Sequence, residues 1–247
     1  MKKIAVIPAR FASSRFPGKP LERILGKPMI QWVYERILRA PDLDAVYAAT
    51  DDKRIYDCVQ GFGGRVLMTS ESHTCGTERV NECRERLGLD DDDIILNIQG
   101  DEPLIRAEMA EELLGAFSDS GVYMATLKTR IVHEDEIVNP NVVKVVTDKN
   151  RNALLFSRHA IPFNRDKYEH TAYYKHVGMY GYKAGFLKKF SSMEKSYLER
   201  MESLEQLRAL ENGFAIRVIE TRYQTTGVDT PEQLLETEKR LREEIDR

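Results

Sequence analysis

Ile4-Ala-Val-Ile-Pro-Ala-Arg-Phe-Ala-Ser-Ser-Arg-Phe-Pro-Gly-Lys-Pro-Leu21 decides how the rest of the chain is read. Its β-branched start (Ile4, Val6, Ile7) predicts a buried strand that stops at Pro8. The loop that follows holds three cations, Arg10, Arg15 and Lys19, with Ser13, Ser14 and Gly18, and almost nothing apolar. A loop leaving the first strand of an α/β sheet lies where such folds bind ligands. Fixed cations there suit a polyanion, and Gly18 lets the backbone come close to it. A solvated basic loop is the alternative. The loop is not a Walker motif, because no glycine stands five residues before Gly18 and Pro20 follows Lys19 where Ser or Thr is required.

Working outward, strand and helix signals alternate. Pro28 opens a helix whose Ile30, Val33, Tyr34 and Ile37 make one apolar face. Strands are predicted at 45–50, 65–68, 94–98 and 122–131, with helices at 52–60, 76–87 and 106–117 between them. Such βαβ units imply a doubly wound, mostly parallel sheet of Rossmann-like type. After residue 131 the pattern loosens. Strands at 142–147 and 153–156 around a turn at 148–152 predict a small antiparallel inserted lobe. A polar and aromatic loop at 164–174 follows, then a strand at 176–182, a helix at 203–212, a strand at 216–220 and a helix opened by Thr230-Pro231. The organisation expected is one domain, with one part of about 1–131 plus 214–247 and a second part of about 132–213.

The 247 residues carry a net charge of −3, which gives no field for nucleic acid or an anionic membrane. No apolar run approaches a membrane helix, and the stretch after Met1-Lys2-Lys3 ends too soon at Arg10 for a signal peptide. Cys58, Cys75 and Cys83 lack metal-ligand spacing and predict a reducing, cytoplasmic setting without disulfides. The five histidines contain no zinc pattern. The run Asp90–Asp93 reads as a solvated turn before a strand.

Two acids stand at strand ends. Gln99-Gly-Asp-Glu-Pro103 follows the strand at 94–98, and Gly100 with Pro103 allows a sharp turn that projects Asp101 towards the basic loop. Mg²⁺ bound with a triphosphate takes one or two protein carboxylates, so Asp101 is a candidate ligand. Capping the next helix is its alternative role. Asp229, in Gly227-Val-Asp-Thr-Pro231, also reads as an ordinary helix start.

Ile7-Pro-Ala-Arg10, Ser14-Arg-Phe-Pro-Gly-Lys-Pro20, Gly26-Lys-Pro-Met29, Ala49-Thr-Asp51, Gly76-Thr-Glu-Arg79, Asn97-Ile-Gln-Gly-Asp-Glu-Pro103 and Gly227-Val-Asp-Thr-Pro231 together resemble the CMP-Kdo synthetases, the 3-deoxy-manno-octulosonate cytidylyltransferases of lipopolysaccharide synthesis. Later segments agree, among them Val142-Val-Lys-Val-Val146, Phe156-Ser-Arg158, His176-Val-Gly178, Tyr180-Gly-Tyr182 and Ser203-Leu-Glu-Gln-Leu-Arg208. The motifs are collinear and span nearly the whole chain.

The resemblance implies a nucleotidyltransferase with CTP and Kdo as substrates, Mg²⁺ as cofactor, a homodimer, and no nucleic-acid or membrane partner. It implies that Arg10, Arg15 and Lys19 hold the CTP phosphates and that Ser13 belongs to the nucleotide-binding set. Ala9, Thr50, Cys75 and Gly76 would lie near the cytosine, and Asp101 and Asp229 would bind the metal. With Lys19 these two acids form the catalytic set. Gln99, Arg158, His176, Tyr182, Glu205 and Gln206 would form the sugar-acid pocket. From the residues alone, His176 and Tyr182 read as packing and Glu205 as a solvated helix residue. Two positions depart from the family: Phe11 replaces its usual Tyr, and Cys75 its usual Ser, a better hydrogen-bond donor. Rival expectations are another sugar acid (8-amino-Kdo or a sialic acid), a non-catalytic nucleotide sensor, or a glycosyltransferase.

Overall fold

The β-branched N-terminal run folds as β1 (Lys3–Ala9), buried at nearly every position. A computed structural model of the protein describes residues 1–12 and 16–246. They fall into two compact units, Met1–Glu111 with Thr225–Arg247, and Glu112–Gln224.

In the first unit, a 3₁₀ turn at Lys19–Leu21 leads into a short hairpin of β2 (Arg23–Ile24) and β3 (Lys27–Pro28). Then come α1 (Met29–Ile37), β4 (Ala45–Thr50), α2 (Lys53–Gly61), β5 (Val66–Met68), α3 (Gly76–Arg86) and β6 (Ile94–Asn97). The strands run parallel in the order β6-β1-β4-β5. Asp52 caps α2 through its carboxylate, which accepts from the Arg54 N–H, as the sequence predicts. In the acidic run, Asp93 is buried and accepts from the N–H groups of Lys2 and Asp90, so the turn is held by one of its own carboxylates.

The long helix Pro231–Ile245 closes this unit. Thr230 and Gln233 form a capping box at its start, with Pro231 in the first turn. Its Leu241, with Val228 before it, packs on Ile24, Met29 and Leu104, and Phe16 and Trp32 cover the cluster. This small apolar core ties four distant pieces of chain together: the end of the basic loop, the hairpin, the segment after Asp101 and the C-terminal helix.

α4 (Ala107–Gly115) runs across the boundary in sequence. The second unit then contains β7 (Met124–Arg130), α5 (Asp135–Val138), β8 (Lys144–Thr147), β9 (Ala153–Ser157), β10 (Tyr174–Lys183), α6 (Ala184–Ser191), α7 (Tyr197–Glu202), α8 (Leu207–Glu211) and β11 (Arg217–Glu220), so the C-terminal helix of the first unit is α9. β7 pairs parallel with β11 and antiparallel with β10, while β8 pairs antiparallel with β10 and β9. The expected α/β fold with an antiparallel lobe is present. The compact units divide at 111/112 and 224/225, outside the 131/132 and 213/214 of the sequence reading, because β7 and β11 pair with each other and β7 pairs with β10.

The helix expected at 203–212 is shorter. Ser203 adopts a left-handed conformation (φ 51°) that ends α7, and only Leu207–Glu211 is α-helical. Among the described residues no helix is long and apolar enough to cross a membrane. None of the three cysteines is in a disulfide, and burial pushes the Cys83 thiol up to about 12.

Candidate active site

At the carboxyl ends of β1 and β6 lies an open cleft of about 400 Å³. Ala9, Arg10, Lys19, Gly76, Gln99, Asp101 and Asp229 line it, so seven of the residues singled out in the sequence share one surface. Backbone form accounts for the convergence. Gly18 sits at φ 74°, where its N–H donates to the Phe11 carbonyl at 2.9 Å and directs Lys19 inward. A Cβ on Gly100 would stand 3.0 Å from the Pro8 carbonyl oxygen, so any side chain there would crowd β1, and glycine lets the Asp101 turn pass close to it without displacement. Val228, locked in the apolar cluster, donates its N–H to the Asp101 carbonyl at 2.9 Å.

Lys19 is the centre of the cleft. It is only 8% exposed, and its Nζ lies 2.6 Å from Asp101 Oδ2 and 3.0 Å from Asp229 Oδ1. Burial alone would push this ammonium down; the charges and hydrogen bonds of Asp101 and Asp229 outweigh it and hold the pKa above the ordinary lysine value. Lys19 is therefore a fixed cation.

The two carboxylates jointly hold one positive charge, and their donor atoms are all hard oxygens. This donor set fits Mg²⁺, which typically binds one or two carboxylates and completes its shell with phosphate oxygens and water. Among the described residues no group of three or more His, Cys, Asp or Glu side chains is placed to hold a metal, so a protein-only cage is absent.

Arg10, which also lines the cleft, donates through Nη1 to the Thr74 carbonyl at 3.0 Å. Thr74 and Cys75 form the turn before α3, and Glu78 secures it by accepting from the Thr74 N–H at 2.6 Å. Burial would raise the Glu78 pKa, but the N–H groups of Thr74 and Cys75 lower it overall. Cys75 occupies the α3 N-cap with extended backbone and makes no side-chain cap hydrogen bond. Thr50 is buried, pairs with Ala9 across the β1–β4 ladder, and accepts from the Asp52 N–H. Phe11 lies against the Arg54 guanidinium, 3.3 Å from ring centroid to Cζ. Ser13 and Arg15 lie outside the described residues.

The remaining predicted residues belong to the second unit. The Arg158 Nε donates to the Glu202 carbonyl at 2.6 Å and Nη1 to the Pro140 carbonyl at 2.9 Å. His176 packs edge-on to Phe156 and tilts against Tyr180, which stacks on Tyr182. Glu205 accepts from Arg208 at 3.3 Å. Tyr182 and Gln206 are buried.

Residues 4–221 match the family model described as "Cytidylyltransferase". The chain is 50% identical over 234 residues to the 3-deoxy-manno-octulosonate cytidylyltransferase of Syntrophus aciditrophicus, covering 94% of each. It is 48% identical over 251 residues to that of Thermodesulfovibrio yellowstonii, covering 98% of each. The chain belongs to the 3-deoxy-manno-octulosonate cytidylyltransferase family. A solved CMP:2-keto-3-deoxy-manno-octonic acid synthetase complexed with CTP superposes with a TM-score of 0.93 at 43% identity, covering 99% of this chain and 100% of that one. The 4-diphosphocytidyl-2C-methyl-D-erythritol synthase of Anaerococcus prevotii, at 17% identity and TM-score 0.63, shares the fold.

Two supporting residues in this cytidylyltransferase, Lys144 and Glu202, are absent from the site residues of the sequence reading. Lys144 is fully buried and its Nζ donates to the carbonyls of Asn139, Val142 and Arg158. Glu202 accepts from the Ser157 hydroxyl and the Arg158 N–H. The signal for Lys144 was available: a lysine inside Val142-Val-Lys-Val-Val146 has no solvent face to occupy. Glu202 gives no such signal.

Proposed function

We propose that the protein transfers CMP from CTP to the anomeric hydroxyl of Kdo, giving CMP-Kdo and pyrophosphate. The observation that carries this reading is Lys19 held between Asp101 and Asp229 in the cleft of a chain whose family relative is solved with CTP. The anomeric oxygen forms a bond to the α-phosphorus and gives up its proton to solvent water, as the bond from that phosphorus to the pyrophosphate oxygen breaks and pyrophosphate leaves. Such a displacement needs positioning and charge neutralisation rather than a protein nucleophile.

Arg10, Arg15 and Lys19 bind the triphosphate, and Lys19 balances charge on the departing pyrophosphate. Main-chain groups at Ala9 and the Cys75-Gly76 turn read the base. Asp101 and Asp229 would hold Mg²⁺. When bound, such an ion supplies a Lewis acid for the phosphate oxygens and lowers the pKa of the attacking hydroxyl. Gln99, Arg158, His176, Tyr182, Glu205 and Gln206 recognise the sugar acid, the buried Tyr182 and Gln206 by supporting the others. The reading includes a homodimer, supported by the exposed Val138, Phe163 and Tyr168 of the second unit. It also includes a cytoplasmic location, supported by three cysteines outside any disulfide and a CTP substrate.

The test is pyrophosphate release with CTP, UTP and ATP, each with Kdo, 8-amino-Kdo and N-acetylneuraminate. The reading predicts the largest kcat/KM for CTP with Kdo. Preference for another sugar acid would replace Kdo and leave cytidylyl transfer standing.

A further inference from the structure

Thr126 of β7 is fully buried, and its Oγ1 has three polar neighbours. His176 Nε2 lies at 2.9 Å, the Met179 carbonyl at 2.8 Å and the Val177 carbonyl at 3.2 Å. The two carbonyls converge because the β7–β10 ladder slips between Val177 and Tyr180, where Gly178 and Met179 form an irregularity in β10.

A threonine hydroxyl has one proton. Neither carbonyl can donate, so that proton points to them, with Met179 the closer acceptor. The Oγ1 then faces His176 with a lone pair, and the 2.9 Å contact requires that Nε2 carry the ring proton. With the proton on Nδ1 instead, two lone pairs would meet between His176 and Thr126. Burial lowers the His176 pKa to about 3, so the ring is neutral at working pH and carries one proton. His176 Nδ1 has no hydrogen-bond partner among the described residues.

We propose that Thr126 is a positioning residue that fixes His176 as its neutral Nε2–H tautomer, making Nδ1 a hydrogen-bond acceptor for a hydroxyl of the sugar acid. The proposal rests on the assignment of His176 to sugar-acid recognition. A neutral acceptor selects a hydroxyl donor and cannot bind the substrate carboxylate, which falls to a cation. Thr126 lies inside a strand pair and reaches the substrate only through His176, so its part is one of orientation.

The experiment combines ¹⁵N NMR of the histidine rings with steady-state kinetics on wild type, Thr126→Val, Thr126→Ser and His176→Ala. In the substrate-free wild type, His176 should show a protonated Nε2 and an unprotonated Nδ1. Thr126→Val keeps the β-branched shape but lacks the hydroxyl. It should mix the tautomers and raise KM for Kdo about three- to tenfold, with KM for CTP unchanged within about twofold. Thr126→Ser should restore both the tautomer and the KM. His176→Ala should raise KM for Kdo at least as much as Thr126→Val.

A proton on Nδ1 in wild type, or an imidazolium at neutral pH, overturns the proposal. So does a Thr126→Val protein with a mixed tautomer and an unchanged KM for Kdo, or an unchanged KM in His176→Ala. If Thr126→Val does not fold, the wild-type spectrum and Thr126→Ser still decide. Failure of wild type to release pyrophosphate from CTP with Kdo would instead refute the reaction, while the spectrum would still score the tautomer.

Discussion

The N–H of Val228 donates to the carbonyl oxygen of Asp101 at 2.9 Å. One hydrogen bond thereby links the turn after β6 to the residue before Asp229, and two acids far apart in sequence come to flank one lysine. Val228 cannot drift, because it is fully buried with Leu104, Ile24 and Leu241. The apolar cluster, and not the acids themselves, sets their approach. Their mutual repulsion is offset by Lys19 at 2.6 and 3.0 Å.

Asp101→Asn keeps the shape of the side chain and removes its charge. Turnover should fall at least about a hundredfold, the scale of losing a central electrostatic contact. The fold should persist, since Lys19 keeps Asp229 as partner. Initial rates at saturating Mg²⁺ check this; more than about a tenth of wild-type turnover would remove Asp101 from the metal site.

Lys19→Ala should weaken CTP more than Kdo, and Arg158→Ala should weaken Kdo more than CTP. Measuring both Michaelis constants for both variants checks the partition. Arg158 also bridges Glu202 and Pro140, so its variant should melt a few degrees lower. A lowered Tm with an unchanged KM for Kdo would make Arg158 a structural brace alone.

The sequence carried most of the first unit. The apolar periods of α1, the caps of α2 and α9 and the buried run of β6 are local signals, and each element formed where predicted. So did the convergence of Arg10, Lys19 and Asp101, because strand ends in a parallel sheet share one edge, whereas Gln99 beside them stood out only through the family resemblance. Asp229 was harder. Its own neighbourhood reads as a helix start, and only the family resemblance lifted it above that. In the second unit α6 went unread, although Ala184, Leu187 and Phe190 recur at helical spacing, because the segment is short and ends in Ser191-Ser192. Thr126 was invisible for another reason: its partners are carbonyls exposed by a strand irregularity that no local pattern encodes.

Cys75→Ser should place a hydroxyl at the α3 N-cap, where the thiol makes no cap hydrogen bond. Stability should rise by about 0.5–1 kcal/mol, seen in urea unfolding. If main-chain groups read the base, kcat/KM for CTP should change less than about fivefold and preference over UTP should persist. A wild type that uses UTP appreciably, with discrimination restored by Cys75→Ser, would assign base reading to the side chain.

His176 gives stability a pH dependence. Its folded pKa is depressed to about 3 from an ordinary 6.5, so between these values the unfolded chain binds a proton that the folded protein does not. Stability from this residue is full above pH 6.5 and is lost progressively as pH falls towards 3. Between pH 7.5 and 5.5 the loss should be about 1 kcal/mol. Urea unfolding of wild type and His176→Gln at both values isolates this contribution; an equal slope in the two proteins would contradict it.

Identifying the product of wild-type protein given only CTP, Kdo and Mg²⁺ tests the central claim most directly. The account predicts CMP-Kdo by mass spectrometry, with one pyrophosphate released per CMP-Kdo formed and neither product from an Asp101→Asn, Asp229→Asn double variant. Release of CDP or free CMP without a sugar conjugate, or pyrophosphate formation independent of Kdo, would contradict it.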